Sequence, residues 1–275
     1  MESRGVKALL RVASGFILMF LYAPLLIVVI YAFNKNISAS WPPNLFTTKW
    51  FSVAWQNPEL RPAFFNSIKA GVAATSIALL LGTLASFAVH RFRFFGREAI
   101  SFVLVLPIAL PGIVTALALS SAVEVGRSWF GLNFGLLTII IGHATFCVVV
   151  VYNNVIARLR RTPGNLVEAS MDLGGDGWQT FRYVTFPSLK TALLAAGLLA
   201  FGLSFDEIVV TIYLSGTTST LPLWIFNNIQ RPVNRPIVNV VAMVVLIASL
   251  LPVYIAQRLA GGAEAGVSRR NATAA

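Results

Sequence analysis

Long apolar runs separated by short polar stretches set the pattern of this chain. Six runs carry almost no charge: about Val12 to Phe33, Ala70 to Val89, Ala99 to Val123, Gly135 to Ala157, Thr191 to Leu214, and Ile237 to Gln257. Each is near or above the roughly 20 residues that a helix needs to cross a bilayer. The runs are continuous, whereas the strands of a membrane barrel alternate apolar and polar positions over segments of about ten residues. The pattern therefore predicts an all-α, polytopic membrane protein with six transmembrane helices. Residues 1–260 form one transmembrane domain on this reading, and 261–275, rich in Ala, Gly and Ser, form a flexible tail. The first run is too long for a cleaved leader and lacks a small-residue cleavage site, so it reads as a retained span.

Composition agrees with the pattern. Of the 275 residues 57% are hydrophobic and 11% charged, against about 25% charged in an ordinary soluble domain. In a soluble protein a net charge of +11 would suggest nucleic acid; here it fits inner loops lying beside anionic lipid, and no nucleic-acid partner is expected. Lys and Arg near helix ends are retained on the cytoplasmic side. With the N-terminus inside, 14 of the 21 basic residues fall on cytoplasmic segments, among them Arg91, Arg93, Arg97, Arg158, Arg160, Arg161, Arg182, Lys190, Arg258, Arg269 and Arg270. Both termini are therefore expected inside. Cys147 is the sole cysteine, so neither a disulfide framework nor a metal cluster is expected. The chain has no G-x-x-x-x-G-K-[ST] loop to cradle phosphates. It is expected to be no enzyme and to bind no cofactor itself.

On this orientation the longest cytoplasmic loop is 158–190, containing EASMDLGGDGWQTFRYVTFP at 168–187. Its punctuation specifies two short helices. Thr162-Pro163 offers an N-cap hydroxyl and a proline at the first helical position, and Gly174-Gly175 can end the helix in the left-handed region. Asp176 opens a second element with Gln179 three residues on, the spacing of a capping box. Local features fit an amphipathic surface helix and a docking element equally.

Spacing separates the two. Glu168-Ala169-Ser170, then Gly174, then Val184-Thr185-Phe186-Pro187 resembles the cytoplasmic loop of permease subunits of ATP-binding-cassette importers: E-A-A, three residues, G, nine residues, I-x-L-P. Ser170, Val184 and Phe186 are mild departures from it. The resemblance implies a type I importer permease fold and a loop that docks in a groove of an ATPase subunit, with Glu168, Ala169, Ser170, Asp172, Gly174 and Pro187 as the coupling residues. It also implies two ATPase subunits carrying ATP and Mg, a second permease subunit expected to be a different chain, and a soluble substrate-binding protein. The implied location is the bacterial cytoplasmic (inner) membrane. Small residues at 169 and 170 permit close approach; Glu168 also suits the positive end of a helix dipole.

Acids inside a span cost roughly 2.5 to 3.5 kcal/mol on insertion scales and are functional by default. Two occur, Asp206 and Glu207 in LSFDEIVV of the fifth run, and with the adjacent Phe205 and with His143 they are the candidate residues of a translocation pathway. On a continuous helix adjacent residues point about 100° apart, so one acid is expected to line a pathway and the other to pack. His143 in the fourth run is placed at similar depth by residue count, and reads better as a packing hydrogen-bonder than as a substrate contact. An acid satisfied by His143 or by a partner subunit is the bland alternative. SFDEIVVT at Ser204 to Thr211, LPLWIF at Leu221 to Phe226 and LPIALPGIV at Leu106 to Val114 resemble the spermidine/putrescine branch of these permeases. That implies a polyamine cargo, with 4-aminobutyrate, another small amine or a phosphonate as alternatives. A proton-coupled carrier using Asp206, Glu207 and His143 accounts for the acids but leaves the organised loop unexplained.

Pro107 and Pro111 are expected to kink or unwind the third run. Trp41, Trp50, Trp55 and Trp129 fall in or beside outer loops, as an interfacial belt does. The outer stretch 34–61 suits a receptor contact or a membrane-surface loop, and STLPLWIFNNIQRP suits a short helix before the last span.

Overall fold

The computed structural model describes residues 4–37, 41–43 and 45–249. The end of the sixth run, the expected tail, and Arg258, Arg269 and Arg270 lie outside the described residues. Helices α1 (Arg4–Ala32), α2 (Lys49–Gln56) and α3 (Leu60–Arg91) come first, then α4 (Arg97–Ala109), α5 (Gly112–Phe130) and α6 (Leu136–Arg161). The long loop holds α7 (Asn165–Asp172), α8 (Gly177–Thr180) and a π-helical turn (Phe181–Thr185) that runs into α9 (Phe186–Phe205). After it come α10 (Val209–Leu214), α11 (Leu221–Ile229), a 3-10 turn (Pro232–Asn234) and α12 over 235–249. Among the described residues the only extended pairing is an isolated bridge between Asn34 and Phe46. Five helical stretches are long and apolar enough to span a membrane, and α4 with α5 makes a sixth if that bent pair is one span.

Two compact units divide the described chain: 4–61 with 225–249, and 62–224. In the first, the segment after α1 is pinned by its backbone, Lys35 N–H donating to Leu45 O (2.9 Å) and Thr47 N–H to Phe33 O (2.7 Å). The Trp50 indole N–H donates to Asn34 O (2.8 Å), and the Phe33 and Phe51 rings lie 5.2 Å apart. Much of the stretch 34–61, expected on the outer side, is thus organised. Trp41 and Trp55 stand exposed, as aromatic belt residues do.

The second unit is built on α6, the helix with most buried positions among those described. Lipid tails are as apolar as leucine, so helices associate in a bilayer by close packing across small residues. On α3 the small buried residues are Ala63, Ser67, Ala70, Gly71, Ala74, Thr75, Ala78, Gly82 and Ser86, at intervals of three or four save for two adjacent pairs. A Cβ at Gly82 would meet Val148 O and Val151 Cβ at 2.9 Å, and one at Gly142 would meet Leu214 Cδ1 and, at 2.9 Å, Val210 Cγ1. The bundle closes around those two glycines. Polar bonds add register: Ser86 Oγ donates to Tyr152 O (3.1 Å), Ser101 Oγ and Tyr152 Oη lie 2.9 Å apart, and Cys147 Sγ lies 3.3 Å from Ala200 O. The basic ends of α3, α4 and α6 gather together, since Arg97 and Arg160 both bear on His90.

Two expected spans are broken. The third run ends its first helix at Ala109, and α5 leaves at 104° to α4. Pro111, extended at its own ψ of 131°, stands as the N-cap of α5, so the prolines do more than kink. The fifth run is not the continuous helix assumed for counting its faces. α9 ends at Phe205 and helix resumes only at Val209.

Candidate functional site

The loop between α6 and α9 is a compact knuckle. α7 ends in a Schellman motif: Gly174, at φ +84°, donates its N–H to Met171 O (2.9 Å), and Gly175 N–H donates to Ser170 O (2.9 Å). The sequence-expected glycine stop is there. So is the capping box, with Gln179 N–H donating to Asp176 Oδ1 (2.7 Å) and Asp176 N–H to Gln179 Oε1 (3.0 Å). The expected Thr162 cap is not. Thr162 Oγ1 donates back to Arg158 O (3.0 Å), finishing α6, and Gly164 stands at the N-cap of α7.

Glu168 lies in the first turn of α7 and is exposed, as are Ala169 and Asp172. Ser170 is half-buried, its Oγ 3.0 Å from the buried Thr180 Oγ1, so it braces α7 on α8 instead of offering an open contact surface. Leu166, Met171, Leu173 and Trp178 are exposed on the knuckle, Leu173 at 90%. Phe181 anchors it: its ring lies 5.7 Å from Trp178, 5.9 Å from Phe87 of α3 and 6.0 Å from Phe186 of α9. Pro187 has no N–H to give Tyr183 O, and just before it the ladder slips, Phe186 N–H reaching Phe181 O five residues back. Arg158 Nε donates to Ser188 O (2.9 Å), tying the foot of α6 to the start of α9.

The second cluster is the break at 206–208. Asp206 caps α9 with its N–H on Gly202 O (3.2 Å), and its side chain is exposed. The Glu207 carboxylate accepts the Val210 N–H (3.0 Å) at the start of α10. Unwound backbone at membrane depth persists only where its polar groups are served from within the protein or face a water-lined cavity. Here Thr211 Oγ1 donates to Glu207 O (2.9 Å), and Ile212 N–H donates to Ile208 O (2.9 Å). The two acids therefore differ through the break, and the 100° divergence expected on one helix does not apply. Phe205, half-buried, stacks toward Phe201 at 5.8 Å.

His143 is buried on α6 and does not pair with either acid. Its Nδ1 lies 2.8 Å from Ser204 Oγ and its Nε2 2.9 Å from Thr211 Oγ1. Thr211 has already given its proton to Glu207 O, so it accepts from Nε2–H, and Nδ1 then accepts from the Ser204 hydroxyl. Sequence reasoning missed both partners and the break. The signals present were an acid three residues ahead of Val210, a helix-start spacing, and the β-branched run Ile208-Val209-Val210, which disfavours helix.

Comparison with known proteins places these features. Residues 78–261 match the family described as binding-protein-dependent transport system inner membrane component. The putrescine transport system permease protein PotI of Escherichia coli (strain K12) is 33% identical over 254 residues, covering 89% of this chain and 88% of that protein. The spermidine/putrescine transport system permease protein PotC of the same strain is 31% identical over 243 residues, 88% of this chain and 89% of that protein. A crystal structure of a bacterial ABC transporter involved in the import of the acidic polysaccharide alginate superimposes with a TM-score of 0.70 at 16% identity, over 95% of this chain and 98% of the other. A second structure, of a bacterial alginate ABC transporter in complex with an alginate pentasaccharide-bound periplasmic protein, gives 0.71 at 16% identity, over 92% and 93%. The folds are shared. The chain belongs to the family of inner membrane components of binding-protein-dependent transport systems, and is a multi-pass ABC importer permease.

Proposed function

We propose that this permease forms half of the pathway by which a small organic cation, a polyamine of the putrescine and spermidine class, enters a bacterial cell. The observation that carries the cargo assignment is the broken fifth span, where Asp206 stands exposed beside a Glu207 already engaged with backbone. A carboxylate left open at an unwound point of a spanning helix is what a desolvating amine requires. The relatives named above are putrescine and spermidine/putrescine permeases, which supports the same cargo. His143 is bonded to the Ser204 and Thr211 hydroxyls and to neither acid, so a relay that joins it directly to Asp206 or Glu207 has no support.

On this reading the knuckle at 162–187 lies in the cytoplasm and docks on one of two ATPase subunits. Glu168, Ala169 and Asp172 meet the partner, while Ser170, Gly174 and Pro187 give the knuckle its shape. The other half of the pathway is a second permease subunit of different sequence, and a soluble substrate-binding protein delivers the cargo from outside. ATP and Mg are held by the ATPase subunits.

The test is uptake by the whole assembly, reconstituted with its binding protein, ATPases and second permease. Labelled putrescine and spermidine are expected to enter on ATP addition, each suppressed by excess of the other. Uptake of 4-aminobutyrate or a phosphonate, with neither polyamine entering, would overturn the cargo assignment. Uptake that needs a proton gradient and ignores ATP would overturn the transporter class.

A further inference from the structure

One imidazole touches both sides of the break in the fifth span. Ser204 is in the last turn of α9 and Thr211 in α10, and the His143 ring lies between them at 2.8 and 2.9 Å. Between those two hydroxyls the chain has lost its helical ladder. Two groups of α6 already hold the outer half: Thr138 Oγ1 donates to Leu214 O (2.7 Å), and Gly142 lets Val210 and Leu214 pack close. Cys147 holds the other half at Ala200 O. His143 is the residue of α6 that grips both halves at the level of the gap. His143, Ser204 and Thr211 are all buried.

We infer that His143 is a splint: it fixes the angle between α9 and α10, and through that angle positions Asp206 for the cargo. The second part rests on the pathway reading above; the first does not. His143 touches no cargo on this account and acts as a positioning residue. No proline locks φ at 206–208 and no helical ladder crosses the gap, so the angle between the two halves is left to tertiary contacts. The imidazole limits that angle, because a movement that separates Ser204 from Thr211 stretches one of its two bonds. A neutral ring with one donor and one acceptor suits two hydroxyls, one giving and one receiving.

The experiment uses the complete assembly in lipid nanodiscs, with Cys147→Ser, whose hydroxyl keeps a donor for Ala200 O, and spin labels at Leu199→Cys and Ile212→Cys, exposed positions on the two halves. A single narrow distance distribution is expected with His143. His143→Ala is expected to broaden it at least twofold, and His143→Gln, whose amide offers one acceptor and a donor, to narrow it again. Equal widths for His143 and His143→Ala would overturn the splint, whatever the transport rates. Positioning is read separately, from turnover of putrescine uptake. Asp206→Asn is expected to lose tenfold or more with His143 present, and less than twofold further once His143→Ala has displaced the acid. Losses that multiply independently would overturn the positioning step. If Asp206→Asn costs nothing in either background, the cargo assignment and the positioning step fall together, and the label distances still decide the splint.

Discussion

At the scale of single residues, the question raised by two adjacent acids has a structural answer. Glu207 spends its carboxylate on the Val210 N–H, and a neutral amide can accept that bond almost as well. Asp206 is exposed at the end of α9, where an amide removes the charge that would meet a cation. Glu207→Gln is therefore expected to keep transport within about twofold. Asp206→Asn should lower turnover at least tenfold, about 1.4 kcal/mol of barrier. Uptake rates at matched expression check the pair, and rates equal to the parent's in both variants would remove the acids from the pathway. Sequence reasoning reached the acids, because charge in an apolar run is conspicuous. It could not reach their difference, which depends on a break that has neither proline nor glycine at 206–208. Ser204 and Thr211 were equally hidden, since their role exists only once α6 brings His143 between them.

At the scale of elements, the knuckle is where local chemistry was most legible. Gly174 sits at φ +84° with nothing within 4 Å of a hypothetical Cβ, so a side chain there meets backbone strain and no clash. A left-handed residue costs roughly 1–2 kcal/mol when it is not glycine. Gly174→Val is therefore expected to redirect the chain leaving α7, and Glu168→Lys to reverse the charge at the start of that helix. Both should insert normally and hydrolyse ATP in the assembly, with uptake falling at least fivefold per ATP consumed. Gly174→Asn, tolerant of the left-handed region, should lose less, and Gly164→Ala, at an ordinary φ of −62° with open space around it, should lose nothing. Paired ATPase and uptake assays check this. Thr162 shows the limit of such reading: its hydroxyl had two good uses, capping α7 or closing α6, and nearby Arg158 O won. The π-turn was beyond reach for a similar reason. Its trigger, Pro187, was visible, but how the ladder would accommodate it depends on where Phe181 is anchored among Phe87, Trp178 and Phe186.

At the scale of the molecule, the two sites lie at opposite ends of one rod. α8, the π-turn and α9 run without interruption from Gly177 to Phe205, 29 residues, about 40 Å at the helical rise. Displacement of the knuckle thus passes along α9 to the break that holds Asp206, with α6 as the rail beside it. Such a rod transmits rotation only if its register is kept, and the π-turn is where one extra residue is stored. Deleting Lys190, an exposed residue of α9 beyond that turn, would take one residue from the regular ladder and rotate the knuckle by about 100° relative to the rest of α9. The packing of Ala196 and Ala200 beyond it would be untouched. We expect the deletion variant to reach the membrane and to retain the spin-label distance between Leu199→Cys and Ile212→Cys. Its ATP hydrolysis should no longer respond to the loaded binding protein, and uptake should fall to background. Lys190→Ala, which removes the side chain and keeps the register, should transport within about twofold of the parent. If the deletion variant still couples, the knuckle and the broken span do not communicate through this rod, and the path must run through α3 by way of Phe87 and Phe181.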